Sequence, residues 1–322
     1  MQAVLGLDTS CYTTSVAAVA LDGHVLGSAR RLLVVKMGGR GLRQSEGVFQ
    51  HVQNLPALLA QLSQSVPDME IVAVCASDAP RDVEGSYMPV FTVGSGMAAS
   101  LAALLHVPGF RSSHQAGHIA AARIDSGLPA GPHLALHLSG GTTEVLRCQE
   151  DGSVELLGGS DDLHAGQFVD RVGVRLGLPF PAGPELERLS AGAEPKSLVV
   201  VTCRGLHCSF SGAEAQVLRM ADSGEFSPEQ IAAEVYSCLA RTIEKLLTNA
   251  ARETGLRNVL LAGGVASSQR FRALLLDRIR RSGSPVHPYF ARPEYAGDNA
   301  VGAALLGLQQ YKTYTTTRED HA

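Results

Sequence analysis

The chain has 322 residues, of which 45% are hydrophobic and 18% charged, and a formal net charge of −4. That balance excludes a disordered chain, and it excludes a globally basic surface that would draw nucleic acid without a local patch. The length supports a sizeable core spread over two domains or lobes. The opening "MQAVLGLDTSCYTT" has no basic segment leading into an apolar one, so no secretory signal is read there. The longest apolar runs are interrupted by Gly and Ser and fall short of a bilayer span. None of the six cysteines is in C-x-x-C spacing, and most are expected to be reduced and buried in a soluble, cytoplasmic protein.

In chain order, "AVLGLDTS" alternates as a strand does and breaks into hydroxyl residues, and "YTTSVAAVAL" returns as a second strand. The tip of this hairpin carries Asp8, Thr9, Ser10, Thr13 and Thr14, donors and acceptors suited to a phosphate. Arg30, Arg31, Lys36, Arg40 and Arg43 follow with no acid between them, loosened by Gly38, Gly39 and Gly41. This segment is either a flexible patch for a nucleic-acid backbone or a solvated loop. Helices are expected over residues 45–64 and 94–106. "RSSHQAGHIAAARI" then places His114 and His118 four apart at the head of an Ala-rich run, on one helical face.

The hairpin pattern returns at residues 132–148, where "LSGGTT" forms the turn, so two related lobes are expected. Asp161, Asp162, His164 and Asp170 follow, either a ribose or metal cluster or a solvated loop. Ser227-Pro228-Glu229 begins a long helix that stops near Gly255. In "NVLLAGGVASSQRF" a buried strand meets Gly263 and Gly264 ahead of an amphipathic helix, where an adenine nucleotide or other anion can approach the backbone. "EYAGDNAVGAALLGL" brings Asp298, followed by a small-residue helix suited to close packing, and a polar, frayed tail ends the chain. Strands alternating with helices make the class α/β.

An imidazole pair at this spacing suits a shared metal ion, and equally a hydrogen-bonded pair. A metalloprotease would need Glu directly after the first His as its base. Gln115 stands there and cannot take a proton. A third ligand would be a carboxylate from elsewhere, with Asp298 the candidate, though Asp also serves as a helix cap. Two imidazoles and one carboxylate suit iron or zinc alike.

Taken in order, "GLDTSC", "SHQAGH", "LSGG", "AGQFVDRVGVRLGLPFPAGPELE", "CSFSG", "LAGGVASS" and "YFARPEYAGDNA" resemble the motifs of the TsaD family of tRNA threonylcarbamoyladenosine synthases, from about residue 3 to 308. The resemblance implies an actin/hexokinase/sugar-kinase-like (ASKHA) fold with two related lobes around a nucleotide cleft. The lobes are expected at 1–107 and 108–297, with a helix over about 298–311 packing back on the first and a tail at 312–322. The resemblance also implies transfer of a threonylcarbamoyl group from threonylcarbamoyl-AMP to the N6 amine of the anticodon-adjacent adenosine of tRNA. His114, His118 and Asp298 match the family's ligands for one divalent iron or zinc ion. His137, Leu138, Ser139, Gly140, Gly141, Asp170, Gly183 and Ser268 match its substrate positions, beside the glycines 263 and 264. No side chain is needed as a covalent nucleophile. Implied partners are tRNA, a homologous non-catalytic subunit and an ATPase.

The sequence departs from the family at Tyr12-Thr13, where acidic residues are usual, at Thr142 in place of a histidine, and at Ser268 in place of an asparagine. Its "APRDVEGSYMPVF" also replaces a Gly-rich loop. Two alternatives therefore stand beside the transferase: a non-catalytic or regulatory paralogue that binds metal and nucleotide, and a small-molecule carbamoyltransferase of the same fold.

Overall fold

Alternation of apolar residues in "QAVLGLDT" makes β1 (Gln2–Thr9), which pairs antiparallel with β2 (Thr13–Ala20), placing Asp8 opposite Ser15 and Thr9 opposite Thr14. The computed structural model describes residues 1–34, 42–297 and 299–319. Beyond β2 the chain forms β3 (Val25–Leu32), α1 (Gln44–Ser65), β4 (Glu70–Ala79), α2 (Phe91–Leu105), β5 (Gly109–Ser113) and α3 (His114–Ala122). The sheet order is β3-β2-β1-β4-β5, antiparallel on one side of β1 and parallel on the other. β2 is buried along its whole length, as a strand covered on both faces must be. Leu5, Leu7, Val16, Leu55, Leu58, Leu62 and Val74 fill the core beside it.

The basic segment of the sequence divides here. Arg30 and Arg31 lie on the edge strand β3 and are not part of a loop, because Ser15 and Thr14 of β2 pair with them. Arg43 precedes α1, while Lys36 and Arg40 lie outside the described residues.

A second unit holds β6 (His133–Leu138), β7 (Thr143–Cys148), β8 (Val154–Ser160), α4 (Ala165–Arg175), α5 (Gly183–Ser190), β9 (Thr202–Arg204), β10 (His207–Ser209), α6 (Ser211–Ser223), α7 (Pro228–Thr254), β11 (Asn258–Ala262), α8 (Gln269–Ser282) and β12 (His287–Phe290). Its strands run in the order β12-β11-β6-β7-β8-β10-β9. The expected long helix is α7. Ser227 Oγ accepts from the Gln230 N–H and the Gln230 side chain accepts from the Ser227 N–H, both at 3.3 Å, while Gly255 takes φ 75° to end it. α7 is buried around most of its circumference and forms the centre of the unit's core, with Tyr236, Leu239, Ile243 and Leu247.

The acidic stretch after β8 is neither one site nor one loop. Asp161 pairs with His207 at 2.7 Å, and His164 precedes α4, which carries Asp170. Asp162 closes the N-terminus of α6: its carboxylate accepts from the N–H groups of Leu163, Phe210 and Ser211 and from the Ser209 hydroxyl. Burial alone would raise its pKa, but these donors outweigh that and hold the carboxyl well below the usual range. The "CSFSG" stretch thus has a structural task, holding that carboxylate at the start of α6.

The chain then returns to the first unit as α9 (Val301–Glu319). The helix runs through residues expected to be a frayed tail, because its apolar first turns dock it on the sheet and the later ones continue the backbone ladder. Small residues set the distance: a Cβ on Gly6 of β1 would lie 2.4 Å from Ala300 O, and one on Gly307 would lie 2.5 Å from Cys75 Cβ. The tightest approach is between α9 and α3, where a Cβ on Gly302 would lie 1.8 Å from Gly117 O. Among the described residues, no helix is long and apolar enough to cross a membrane. The six cysteines are free thiols, four of them buried.

Gly302→Ala sets two effects against each other. Alanine gains about 1 kcal/mol of helix propensity, whereas a side chain driven into backbone costs roughly 1–3 kcal/mol or more. At 1.8 Å from a backbone oxygen the clash wins. Urea unfolding should show a net loss of about 2 kcal/mol, and an unchanged midpoint would contradict the packing of α3 on α9.

Candidate functional site

α3 begins where β5 ends, with Ser113 as its cap: the Ser113 hydroxyl accepts from the Ala116 N–H at 3.1 Å. That start point puts His114 at the first helical position and His118 one turn on. Their rings lie 4.4 Å apart at 74°, and the two Nε2 atoms face each other at 3.0 Å. Behind them, Asp8 at the end of β1 accepts from His114 Nδ1 at 2.9 Å. A carboxylate oxygen accepts, so Nδ1 carries the proton and His114 Nε2 presents a lone pair toward His118. Metal-ligating histidines are commonly oriented in this way, by a carboxylate on the nitrogen away from the ion. Asp8 is 1% exposed, and its Oδ2 has no hydrogen-bond partner among the described residues.

The donor set fits a borderline divalent metal, as two imidazole nitrogens directed at one point and braced from behind. Asp298, the third residue expected, lies outside the described residues. Among those described, no group of three or more His, Cys, Asp or Glu side chains gathers at one point.

The hydroxyls of the first hairpin turn inward, which corrects their expected role with phosphate. Thr9 Oγ1 donates to Val90 O at 2.9 Å, Ser10 Oγ to Thr13 O and Ser15 Oγ to Asp8 O, both at 3.3 Å. His51 of α1 bridges the tip, with Nε2 donating to Ser10 O at 2.9 Å and Nδ1 accepting from Thr14 Oγ1 at 2.8 Å. Asn54 donates to the same Thr14 oxygen, and Arg31 donates to Asn54. Burial holds the His51 pKa below its ordinary value, so the ring stays neutral in this network. The tip that carries Asp8 is therefore rigid.

The second unit contains a cavity of about 360 Å³, within the size range of small-ligand sites. Gly140, Asp170, Gly183, Gly264 and Ser268 of the expected set line it, joined by Gly166, Glu187 and Tyr236. His137, Leu138, Ser139, Gly141 and Gly263 lie along the end of β6, its turn and the end of β11, and do not line it. Asp170 accepts from the Ala182 N–H at 2.8 Å, and burial raises its pKa. The Tyr236 hydroxyl donates to Gly183 O at 3.1 Å, and Ser268 caps α8 by accepting from the Phe271 N–H at 3.2 Å.

The glycines of this region divide into two kinds. Gly263 has φ 98°, and a Cβ there would lie 2.2 Å from Leu138 O, so the close approach of the turn after β11 to the end of the neighbouring parallel strand β6 requires glycine. A Cβ on Gly166 would lie 2.6 Å from Gly140 Cα and from Ser139 O, so the start of α4 sits directly on the β6–β7 turn. Gly140 and Gly264 differ from both. A Cβ on either would meet nothing within 4 Å, and neither has a positive φ. Among the described residues nothing fills the space above them, and both line the cavity.

His51, Gly166, Glu187 and Tyr236 were not anticipated. Gly166 and Glu187 lie inside the motif "AGQFVDRVGVRLGLPFPAGPELE", which is a usable signal. His51 and Tyr236 sat in amphipathic helical patterns that look like ordinary core.

A family model described as "tRNA N6-adenosine threonylcarbamoyltransferase" matches residues 45–305. A protein of that description from Carboxydothermus hydrogenoformans is 32% identical over 314 residues, 96% of this chain and 92% of its own length. Among solved structures, HypF of T. kodakarensis superposes with a TM-score of 0.62 at 16% identity, covering 97% of this chain and 48% of that one. A ROK family glucokinase from Streptomyces griseus gives 0.55 at 14% identity, covering 95% and 99%. These likenesses establish the ASKHA fold. With a matching model over most of its length and a relative of this identity across nearly all of it, the chain belongs to the TsaD family of tRNA N6-adenosine threonylcarbamoyltransferases.

Proposed function

We propose that this protein transfers a threonylcarbamoyl group from threonylcarbamoyl-AMP to the N6 amine of the adenosine next to the tRNA anticodon. The observation that carries this reading is the pair of imidazole nitrogens facing at 3.0 Å, braced through His114 by the buried Asp8. Family membership supplies the reaction, and the brace supports retention of its metal centre despite the altered residues Tyr12, Thr13, Thr142 and Ser268.

His114 and His118 would hold the ion, with Asp298 as the family's third donor. When bound, a divalent iron or zinc ion supplies Lewis acidity toward carbamoyl or phosphate oxygens and a template for orienting them. Asp8 keeps the His114 proton on Nδ1 and so keeps Nε2 available. The cavity of the second unit takes the adenylate: Asp170 accepts from ribose hydroxyls, and Gly140 and Gly264 leave room for the ligand against bare backbone. The attacking lone pair belongs to the tRNA amine and AMP is the leaving group, so no nucleophilic side chain is required. A homologous subunit and an ATPase remain partners to supply in the assay.

The test is to give the purified, metal-loaded protein radiolabelled threonylcarbamoyl-AMP and unmodified tRNA, with and without those partners. Label on the anticodon-adjacent adenosine is expected, falling at least tenfold in His114→Ala. Absence of label in every combination would overturn the transferase and favour the non-catalytic paralogue.

Gly264→Ala separates binding from folding. Its backbone is ordinary for an L-residue, and the added methyl enters open space. Its thermal midpoint should match that of the original protein within about a degree. Adenine-nucleotide affinity, read by calorimetry, should fall several-fold. Unchanged affinity would remove the ligand from this face of the cavity.

A further inference from the structure

The edge of the seven-stranded sheet carries two thiols that the transfer reaction does not use. β9 and β10 form a hairpin in which Arg204 faces His207, Cys203 faces Cys208 and Thr202 faces Ser209. The loop is only Gly205-Leu206, with Gly205 at φ 56°, the geometry of a two-residue turn between antiparallel strands. In such a hairpin the residues flanking the loop exchange hydrogen bonds, so the next pair out is a non-hydrogen-bonded one. That pair is Cys203 and Cys208. Directly opposed residues at such positions have Cα atoms about 4.5 Å apart, with side chains on the same face. Disulfides span Cα separations of about 4.4–6.8 Å, so no strand has to move to close this one.

We propose that Cys203 and Cys208 form a reversible intrachain disulfide that locks the β9–β10 hairpin. This inference is independent of the transferase reading. Cys208 is buried and bonded into the sheet through its backbone, since its carbonyl accepts from the Asp161 N–H at 2.9 Å. Cys203 is partly exposed on β9, the outermost strand, and is the sulfur that an oxidant reaches first. With a small-molecule disulfide as oxidant, the Cys203 thiolate attacks one sulfur and releases the other half as a thiol. Cys208 then loses its proton and attacks the Cys203 sulfur of the mixed disulfide, releasing the second thiol. Two protein thiols are oxidised by two electrons, and one disulfide is reduced to two thiols. Burial keeps the Cys203 thiol above its ordinary pKa, with the Lys245 ammonium opposing it, which lowers the thiolate fraction and slows closure.

The lock has a structural target. Cys208 is followed directly by Ser209, Phe210 and Ser211, whose donors hold the Asp162 carboxylate at the start of α6. Closing the thiols pins one end of that arrangement covalently to the sheet edge.

The sequence provides a direct assay, because Arg204 lies between the two cysteines. The full-length protein is incubated with oxidised glutathione at pH 8, remaining thiols are alkylated, and the protein is digested with trypsin without reduction. The expected product is peptide 197–204 joined to peptide 205–219, lighter by two hydrogens than the two thiol peptides together and separated by a reductant. Oxidation should also raise the thermal midpoint by a few degrees in the original protein and by nothing in Cys203→Ser. Recovery of both cysteines as alkylated thiols overturns the proposal, as does Cys203 recovered only as a stable glutathione adduct. Should the Cys203→Ser variant fail to fold, the peptide map of the original protein decides alone.

Discussion

The constraint on which the first unit depends is the backbone contact between Gly117 of α3 and Gly302 of α9, closer than any side chain would permit. α3 is a short helix of nine residues, too short to hold itself in water. Its position is set by what it packs on, and α9 lies against it and against β1 and β4 together. The C-terminal helix of the chain thereby fixes the helix that carries His114 and His118, and the strand that carries Asp8. The same residues explain why "VGAALLGL" is built almost wholly from small and aliphatic side chains. A larger residue at 302 would move the imidazoles away from the carboxylate that orients them.

Polar burial around that pair follows one pattern. The hairpin tip encloses five hydroxyl residues, Thr9, Ser10, Thr13, Thr14 and Ser15, each no more than 3% exposed. Burying such groups unpaired would cost several kcal/mol in all, and His51, Asn54, Val90 and neighbouring backbone groups supply partners for Thr9, Ser10, Thr14 and Ser15. Asp8 Oδ2, at the same tip, has no partner among the described residues. In the second unit the glycines separate a requirement of the fold from a requirement of a ligand. Gly263 and Gly166 are needed by close approaches of the chain's own backbone, and Gly140 and Gly264 are not.

How much of this was legible in the sequence depended on the range of the interaction. Local signals read well: Ser227, Gln230 and Gly255 act within a turn of the helix they bound, and the i, i+4 spacing of His114 and His118 is a property of one helix. The small-residue character of the segment after Asp298 announced close packing, though not its partner. Contacts set by topology were hidden. Asp8 and His114 are 106 positions apart, and Thr14 meets His51 across 37. The hydroxyls at the first turn therefore read from sequence as phosphate donors, whereas they bond within the fold. The Asp161 to Asp170 stretch looked like one acidic cluster because four neighbouring residues with separate partners cannot be told apart by spacing alone. Cys203 and Cys208 were legible as a pair only once Gly205-Leu206 was known to be a turn.

The central claim is that Asp8, through His114, presents two imidazole nitrogens to a metal ion. X-ray absorption at the metal edge of the purified, iron- or zinc-loaded protein tests it most directly, comparing the original chain with Asp8→Asn. The account predicts imidazole scattering fitted by two histidines in the original protein, at about 2.0–2.1 Å for zinc. In Asp8→Asn it predicts roughly 10–100-fold weaker metal affinity, because the variant no longer fixes the His114 proton. A spectrum fitted without histidine, or an Asp8→Asn variant that binds metal as tightly as the original, would contradict it.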